Sequence, residues 1–478
     1  MVETEVIETF VKSTSDISVV GKKVSILGAA RSGVAVAQLL KEKGALVFVS
    51  DSGSPEKLQS QISEPKDHPP LVDNLQSIGI EAEIGKHSER VYDADLIVIS
   101  PGVSSSAPVV QEAKRRGIRI VSELEVASWF CPCPIIAVTG SNGKTTTTTL
   151  IGRMLYDGRE KHIVAGNIGT AFSSVISELD EESFAVLEVS SFQLDHIESF
   201  RPMVSIILNI TPDHLDRYGG SFDQYITSKC RIFENQTLDD YLIYDYDDRV
   251  TQEHVDRLTA RHVRTIPFSV SKRLEEGAFV EDGKLVTVLG GTKSEVIDVD
   301  QISIRGVHNL YNSMAAALAA ELVGVATPSL RATLKNFKGV EHRLEFVREL
   351  RGVKYVNDSK ATNVDSVWYA LQAFKEPIVL LLGGRDKGND YSKLYELVQL
   401  HVKTIVAIGE SAEKVVKAFS GRANVVKTNS MEEAVKSASA IAVTGDVVLL
   451  SPACASFDWF QDYEHRGRMF KKIVHSLM

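Results

Sequence analysis

Thr139-Gly140-Ser141-Asn142-Gly143-Lys144-Thr145-Thr146 carries the most specific chemistry in this chain. The apolar run Ile135-Ile136-Ala137-Val138 before it reads as a buried parallel strand, and Leu150, Ile151, Met154 and Leu155 after it fall at helical spacing. Glycines on a strand-to-helix turn let backbone N–H groups approach a polyphosphate, and the helix N-terminus adds a favourable dipole. Lys144 brings a charge to the outer phosphates and the Thr145 hydroxyl can reach a magnesium ion. The first glycine of the standard phosphate loop would fall at Val138, yet the pattern reads as an ATP or GTP site. Glu188 closes a second apolar run, Phe184-Ala185-Val186-Leu187, where an acid is well placed to hold magnesium. A third run, Val204 to Leu208, leads into Asp213-His214-Leu215-Asp216-Arg217, a concentration of ionisable groups that suits a metal or substrate site. Asp213 and Asp216 can equally cap a helix start, and Lys229 taken alone reads as an ordinary surface lysine.

The elements that position these residues alternate short strands with helices, which calls for doubly wound α/β sheets. At 478 residues the chain exceeds what one core usually supports, so two to four domains are expected. Hydrophobic residues are 44% and charged ones 24%, a globular composition. Lys plus Arg is 53 against 63 for Asp plus Glu, a net charge of −10 with no long basic run, which argues against a nucleic-acid partner. Cys131, Cys133, Cys230 and Cys454 have neither zinc spacing nor nearby histidine partners and are expected as free thiols. No secretory signal and no apolar run of ~20 residues is apparent, so a cytoplasmic protein without a membrane partner is expected. The first 20 residues or so read as a loose polar extension.

Near the N-terminus, the strand Lys23-Val24-Ser25-Ile26-Leu27 precedes Gly28-Ala29-Ala30-Arg31-Ser32-Gly33 and a helix through Leu40; a second strand, Leu46 to Val49, ends at Asp51. This is a dinucleotide-fold opening. Ala30 replaces the glycine that lets a pyrophosphate approach closely, which argues against a nicotinamide-dependent oxidoreductase while leaving room for another nucleotide. Ser100-Pro101-Gly102 ends the strand before it, Asp95 to Ile99, in a second backbone-rich loop. Cys131 to Pro134 reads as a linker. After the central unit, Asp282-Gly283 marks a hairpin within residues 277–304, His308-Asn309-Leu310-Tyr311-Asn312 opens an alanine-rich helix, and Gly339 begins a hinge. A third unit repeats the alternation, with polar loops at Asp358 to Asn363, Gly383 to Lys387 and Ser451 to Ser456.

Together the phosphate loop, Gly166-Asn167-Ile168-Gly169, Glu188-Val189-Ser190-Ser191-Phe192-Gln193-Leu194, Asp213-His214-Leu215-Asp216, His308-Asn309, Glu341-His342-Arg343 and Asn357-Asp358-Ser359-Lys360-Ala361-Thr362-Asn363 resemble the Mur ligases, the ATP-dependent amino-acid ligases of peptidoglycan synthesis. The resemblance runs in the family's order over the chain after residue 20. It implies three domains: a Rossmann-like unit over 1–132 for a UDP-linked substrate, a central ATPase domain over 133–340 with the phosphate loop, and a Rossmann-like C-terminal domain over 341–478 for the amino acid. It further implies that a substrate carboxylate takes the γ-phosphate of ATP and that an amine attacks the acyl phosphate. The motifs look most like those of members that add D-glutamate to UDP-N-acetylmuramoyl-L-alanine, with another Mur-type ligase or a folylpolyglutamate synthase-like enzyme as the alternative. By the same resemblance two magnesium ions lie among Thr145, Glu188, His214 and a carbamylated Lys229, and Lys144 and Lys360 join the catalytic set. Gly140 to Thr146, His308, Asn309, Asn312, His342, Arg343 and Asp358 would contact ATP. Gly28, Arg31, Ser32, Asp51, Ser100, Gly102 and Asn167 would hold the UDP substrate. Lys360, Thr362, Lys387, Ser456, Phe457 and Tyr463 would surround D-glutamate. A monomer is expected. The chain departs from the family's spelling after Asp51, where the arginine that stacks on uracil in some members is missing, and at Tyr463, where phenylalanine is usual.

Overall fold

In the computed structural model the described residues are 17–54, 75–167, 169–258, 263–386 and 388–478; most of the expected N-terminal extension lies outside them. They divide into two compact units. One comprises residues 1–302 and 310–337, the other 303–309 and 338–478.

The first unit holds two sheets. Strands β1 (Lys23–Leu27), β2 (Leu46–Asp51), β3 (Glu81–Ile84), β4 (Leu96–Ile99) and β5 (Arg119–Ser122) form a parallel sheet in the order β3-β2-β1-β4-β5. The order reverses between β1 and β4, so the turn at Gly28 and the loop at Ser100 emerge side by side, where open α/β sheets bind ligands. The second sheet contains β6 (Ile135–Thr139), β7 (His162–Gly166), β8 (Phe184–Glu188), β9 (Val204–Ile207), β10 (Tyr241–Asp245), β11 (Arg264–Ser269), β12 (Gly277–Glu281), β13 (Lys284–Leu289) and β14 (Thr292–Asp298), in the order β14-β13-β12-β11-β10-β9-β6-β8-β7. β6 lies between β8 and β9, parallel to both, so the phosphate loop, Glu188 and the Asp213 segment leave adjacent strand ends. All five residues of β6 are buried, as a strand covered on both faces requires. The expected hairpin joins β12 and β13 antiparallel, with Asp282 at φ +50° and Gly283 at +75°; both central residues at positive φ match the twist of a two-residue hairpin.

The second unit is built on β15 (Glu345–Leu350), β16 (Val353–Asn357), β17 (Ile378–Gly383), β18 (Val402–Ile408), β19 (Asn424–Lys427) and β20 (Val447–Leu450), ordered β15-β16-β20-β17-β18-β19, with β15 antiparallel at the edge. β20 lies between β16 and β17. The loops after these three strands are the ones the sequence marks as polar, and they meet at one sheet edge. Apolar clusters cover both faces, one around Leu380 and Phe419, the other around Tyr355 and Phe470. Short edge strands such as β3, β7 and β19 do not stand out in the sequence, because none of their apolar runs exceeds three residues.

Candidate active site

In the N-terminal sheet the chain turns from β1 into the Arg31–Glu42 helix at Gly28, whose φ is +97°. A side chain at Gly33 would lie 1.8 Å from the Gly28 carbonyl oxygen, so only glycine lets the helix pack so tightly on the turn. Ser100 donates from Oγ to the same carbonyl at 3.2 Å. Asp51 is committed to this turn as well: Oδ2 accepts from the Ala29 N–H at 2.7 Å and Oδ1 from Gly53 at 2.6 Å. Arg31 reaches the Gly169 carbonyl at 3.2 Å, while Ser32 is half-buried and Gly102 exposed. Arg217, which the sequence marks only as the end of the ionisable run from Asp213, stacks 4.5 Å over Phe192 and donates to the Pro101 carbonyl at 2.9 Å. It thereby ties the segment after His214 to the loop after β4.

The phosphate loop is shaped by two glycines. Gly140 has φ +147° and Gly143, at the N-cap of the Lys144–Gly158 helix, +88°; a side chain at Gly143 would lie 2.3 Å from Asn312 Oδ1. Asn209, two residues past the end of β9, holds the loop from outside by accepting from the Asn142 N–H at 2.9 Å and donating to its carbonyl at 3.1 Å. Ser141 Oγ donates to the Thr211 carbonyl at 2.8 Å, and Thr146 is buried in the first helical turn. Lys144 folds back on its loop, with Nζ 2.8 Å from the Gly140 carbonyl and 3.0 Å from that of Ser141. Glu188 is buried, and it accepts from the Thr145 hydroxyl at 2.7 Å and the Asn167 amide at 2.9 Å.

Lys229 is no surface lysine. It sits on the Phe222–Cys230 helix with 1% exposure, 4.7 Å over the Tyr225 ring, and donates to the Gly140 carbonyl at 2.8 Å. Lys144 donates to that same oxygen. Burial, and next the Lys144 charge, push the Lys229 amine well below the ordinary lysine range, against the opposing pull of Asp213, Cys230 and Glu188. His214 adopts φ +52°, placing Nε2 3.7 Å from Asp213 Oδ2 and its ring edge-on to Phe192 at 6.2 Å. The structure thus brings Lys144, Thr145, Asn167, Glu188, Asp213 and Lys229 into one neighbourhood, with His214 on its Asp213 side. Carboxylate, hydroxyl and amide oxygens are the donors a hard divalent cation prefers, and this set fits magnesium.

The second unit carries its own cluster. His342, at φ +65° and buried, accepts from the Asn357 amide at 2.8 Å through Nδ1, and its N–H donates to Glu345 at 3.0 Å. Asp358 is buried; it accepts from Ser451 Oγ at 2.8 Å and the Leu344 N–H at 3.2 Å. Burial raises its carboxyl to about 6, against the pull of the Arg343 charge. Lys360 lies 5.2 Å over the Tyr463 ring. Thr362 is half-buried, Ser456 buried and Phe457 exposed. His308 tilts against Tyr369 at 5.5 Å and Asn309 donates to the Arg305 carbonyl at 2.8 Å. Lys387 lies outside the described residues. Two residues the sequence reading passed over stand out: Glu345, which organises His342 and Asn357, and the buried Arg466.

Three sequence-family models match the chain: a Mur ligase MurD-like N-terminal domain over residues 22–122, a Mur ligase middle domain over 138–320 and a Mur ligase glutamate ligase domain over 342–454. A curated UDP-N-acetylmuramoylalanine–D-glutamate ligase of Chloroherpeton thalassium is 47% identical over 471 residues, covering 96% of this chain and 98% of that protein. One of the same name from Salinibacter ruber is 44% identical over 464 residues, covering 95% and 98%. Among solved structures, the UDP-N-acetylmuramate-alanine ligase of Thermotoga maritima shares the fold with a TM-score of 0.58 at 19% identity, covering 95% of this chain and 99% of that one. The three matched domains and the full-length relatives show that this chain belongs to the Mur ligase family.

Proposed function

We propose that the protein is an ATP-dependent ligase that joins D-glutamate to UDP-N-acetylmuramoyl-L-alanine, releasing ADP and phosphate in cytoplasmic peptidoglycan precursor synthesis. The observation that carries the proposal is near-full-length identity of 44–47% to ligases of that name, together with a phosphate loop whose lysine, threonine and neighbouring strand-end acid are already assembled. In the reaction the alanyl carboxylate takes the γ-phosphoryl group of ATP, giving an acyl phosphate and ADP. The D-glutamate amine then attacks the acyl carbon, and the tetrahedral adduct collapses to the amide and inorganic phosphate.

Phosphoryl transfer asks the protein for positioning and charge neutralisation rather than covalent chemistry. The Gly140–Thr146 backbone and Lys144 cradle the outer phosphates. Bound magnesium, at two positions among Thr145, Glu188, His214 and carbamylated Lys229, would neutralise charge on the phosphates and the acyl group. The low basicity of Lys229 favours the neutral amine that adds CO₂, forming an N–C bond and releasing a proton, and the product is an oxygen donor. Asn312, His308, Asn309, His342, Arg343 and Asp358 are assigned to the nucleotide. Gly28, Arg31, Ser32, Ser100, Gly102 and Asn167 are assigned to the UDP substrate, with Asp51 shaping the turn. Lys360, Thr362, Lys387, Ser456, Phe457 and Tyr463 are assigned to D-glutamate, two lysines suiting its two carboxylates. Phosphate release measured with UDP-N-acetylmuramoyl-L-alanine against a panel of amino acids tests the assignment. D-Glutamate should outperform its L-isomer, D-aspartate, L-lysine and meso-diaminopimelate; equal rates with a diamino acid would refute it.

A further inference from the structure

Arg466 lies on the Tyr463–Ser476 helix and is 1% exposed, a place where arginine is almost never found unless it is paired with an acid. Among the described residues no carboxylate oxygen comes within the 4.0 Å ion-pair distance of it; Asp358 and Asp458 act on it only from farther away. Its hydrogen bonds all go to neutral oxygens. Nε donates to Ser359 Oγ at 3.0 Å, Nη2 to the Ser359 carbonyl at 2.8 Å, and Nη1 to the carbonyls of Cys454 at 3.1 Å and Ala455 at 3.3 Å. A buried cation held this way keeps a desolvation cost that the more distant Asp358 and Asp458 charges offset only in part.

The acceptors identify the role. Ser359 immediately precedes Lys360 in the loop after β16, and Ala455 immediately precedes Ser456 in the loop after β20. One planar guanidinium therefore fixes the relative position of the two loops from which Lys360 and Ser456 project. The third loop is close as well: Gly384, at φ +145°, leaves room for Nη1, which would lie 3.2 Å from a side chain there. On the far side Gly467 admits His342, whose Nδ1 would lie 2.2 Å from a Cβ at 467. A lysine cannot replace this fork, because an ammonium is a point donor without fixed in-plane directions.

We propose that Arg466 is the positioning residue of the amino-acid site: it registers the Ser359–Lys360 loop against the Ala455–Ser456 loop and places a buried positive charge behind both, so that the site selects a dicarboxylate amino acid. This rests on the reading that these loops take D-glutamate. The test is steady-state kinetics of the full-length enzyme with D-glutamate, ATP and UDP-N-acetylmuramoyl-L-alanine varied in turn. Arg466→Met should raise KM for D-glutamate about tenfold or more, since small misplacements of positioned groups are costly, with the other two KM values within about twofold. Arg466→Lys should recover only part of the loss, because it restores the charge without the fork. Where Arg466→Met does not fold, Ser359→Ala removes the Nε acceptor, together with the hydroxyl's own bond to the Tyr463 carbonyl, and should raise the same KM selectively. A lowered Tm with an unchanged KM for D-glutamate would mean a structural arginine only and overturn the proposal. A wild-type enzyme that releases no phosphate with D-glutamate would instead overturn the acceptor assignment, and the proposal with it.

Discussion

Lys144 and Lys229 donate to one carbonyl oxygen, that of Gly140, each at 2.8 Å. Burial, and after it the Lys144 charge, push the Lys229 amine well below the ordinary lysine range. The arrangement gives the two lysines separate roles. Lys144 sits on the phosphate loop, donating to the Gly140 and Ser141 carbonyls, so Lys144→Ala should lower turnover by orders of magnitude with little change in Tm, because no core contact is removed. Near-normal turnover would contradict the phosphate-loop assignment. In the proposed mechanism Lys229 is the lysine that is carbamylated. Lys229→Ala should therefore be inactive and partly restored by a high concentration of acetate but not by a small amine; rescue by the amine alone would contradict the carbamate. Most of these residues were legible because their spacing around glycines and strand ends is chemical. Arg466 was not, since an arginine on a polar helix reads as solvent-exposed until the carbonyls that enclose it are known. Asp51 was legible as important but not in kind: the spacing of an acid after the glycine turn is the same whether it meets a ribose or the Ala29 N–H.

The Glu123–Trp129 helix shows what an element contributes beyond its residues. Ser122 caps it by accepting from the Glu125 N–H. Glu125, fully buried, accepts from the backbone N–H groups of Glu198, Ser199 and Phe200, from Ser199 Oγ and from Trp129 Nε1. Glu123 accepts from the Ser173 N–H at 2.8 Å. Two carboxylates of one short helix thus hold the last element of the N-terminal sheet to segments of the central domain. Glu125→Ala would strand three backbone N–H donors, the Trp129 indole N–H and the Ser199 hydroxyl, at ~1–3 kcal/mol for each buried unsatisfied group, so a clear loss of Tm is expected in thermal unfolding, while Glu125→Gln, which keeps an acceptor, should lose less. Equal stability of Glu125→Ala and wild type would contradict this reading. The central strands of each sheet, such as β1, β4, β6, β8, β17 and β20, could be read from apolar runs and breakers. This helix could not, because acids at alternate positions look like a solvated surface and only the long-range partners at 198–200 bury them.

Across the whole chain the same device recurs in each sheet: a strand between two parallel neighbours gathers three loops at one edge. The phosphate loop, Glu188 and the Asp213 segment meet around β6, and the Asp358, Gly383 and Ser451 loops meet around β20. The motifs identify the loops, but the strand order that makes them neighbours follows from pairings that no local pattern encodes. Glu188 is held by Thr145 and Asn167, so the fold is expected to persist without a metal ion. Chelation should abolish turnover while leaving the circular dichroism spectrum unchanged, and magnesium should restore activity; unfolding on chelation would contradict this. The central claim is that the alanyl carboxylate is phosphorylated before the amide forms. Its most direct test is to label that carboxylate with heavy oxygen and analyse the phosphate released during D-glutamate-dependent turnover by mass spectrometry. An acyl phosphate leaves one carboxylate oxygen on the departing phosphate, so label should appear in inorganic phosphate. Unlabelled phosphate formed in step with amide product would contradict the account.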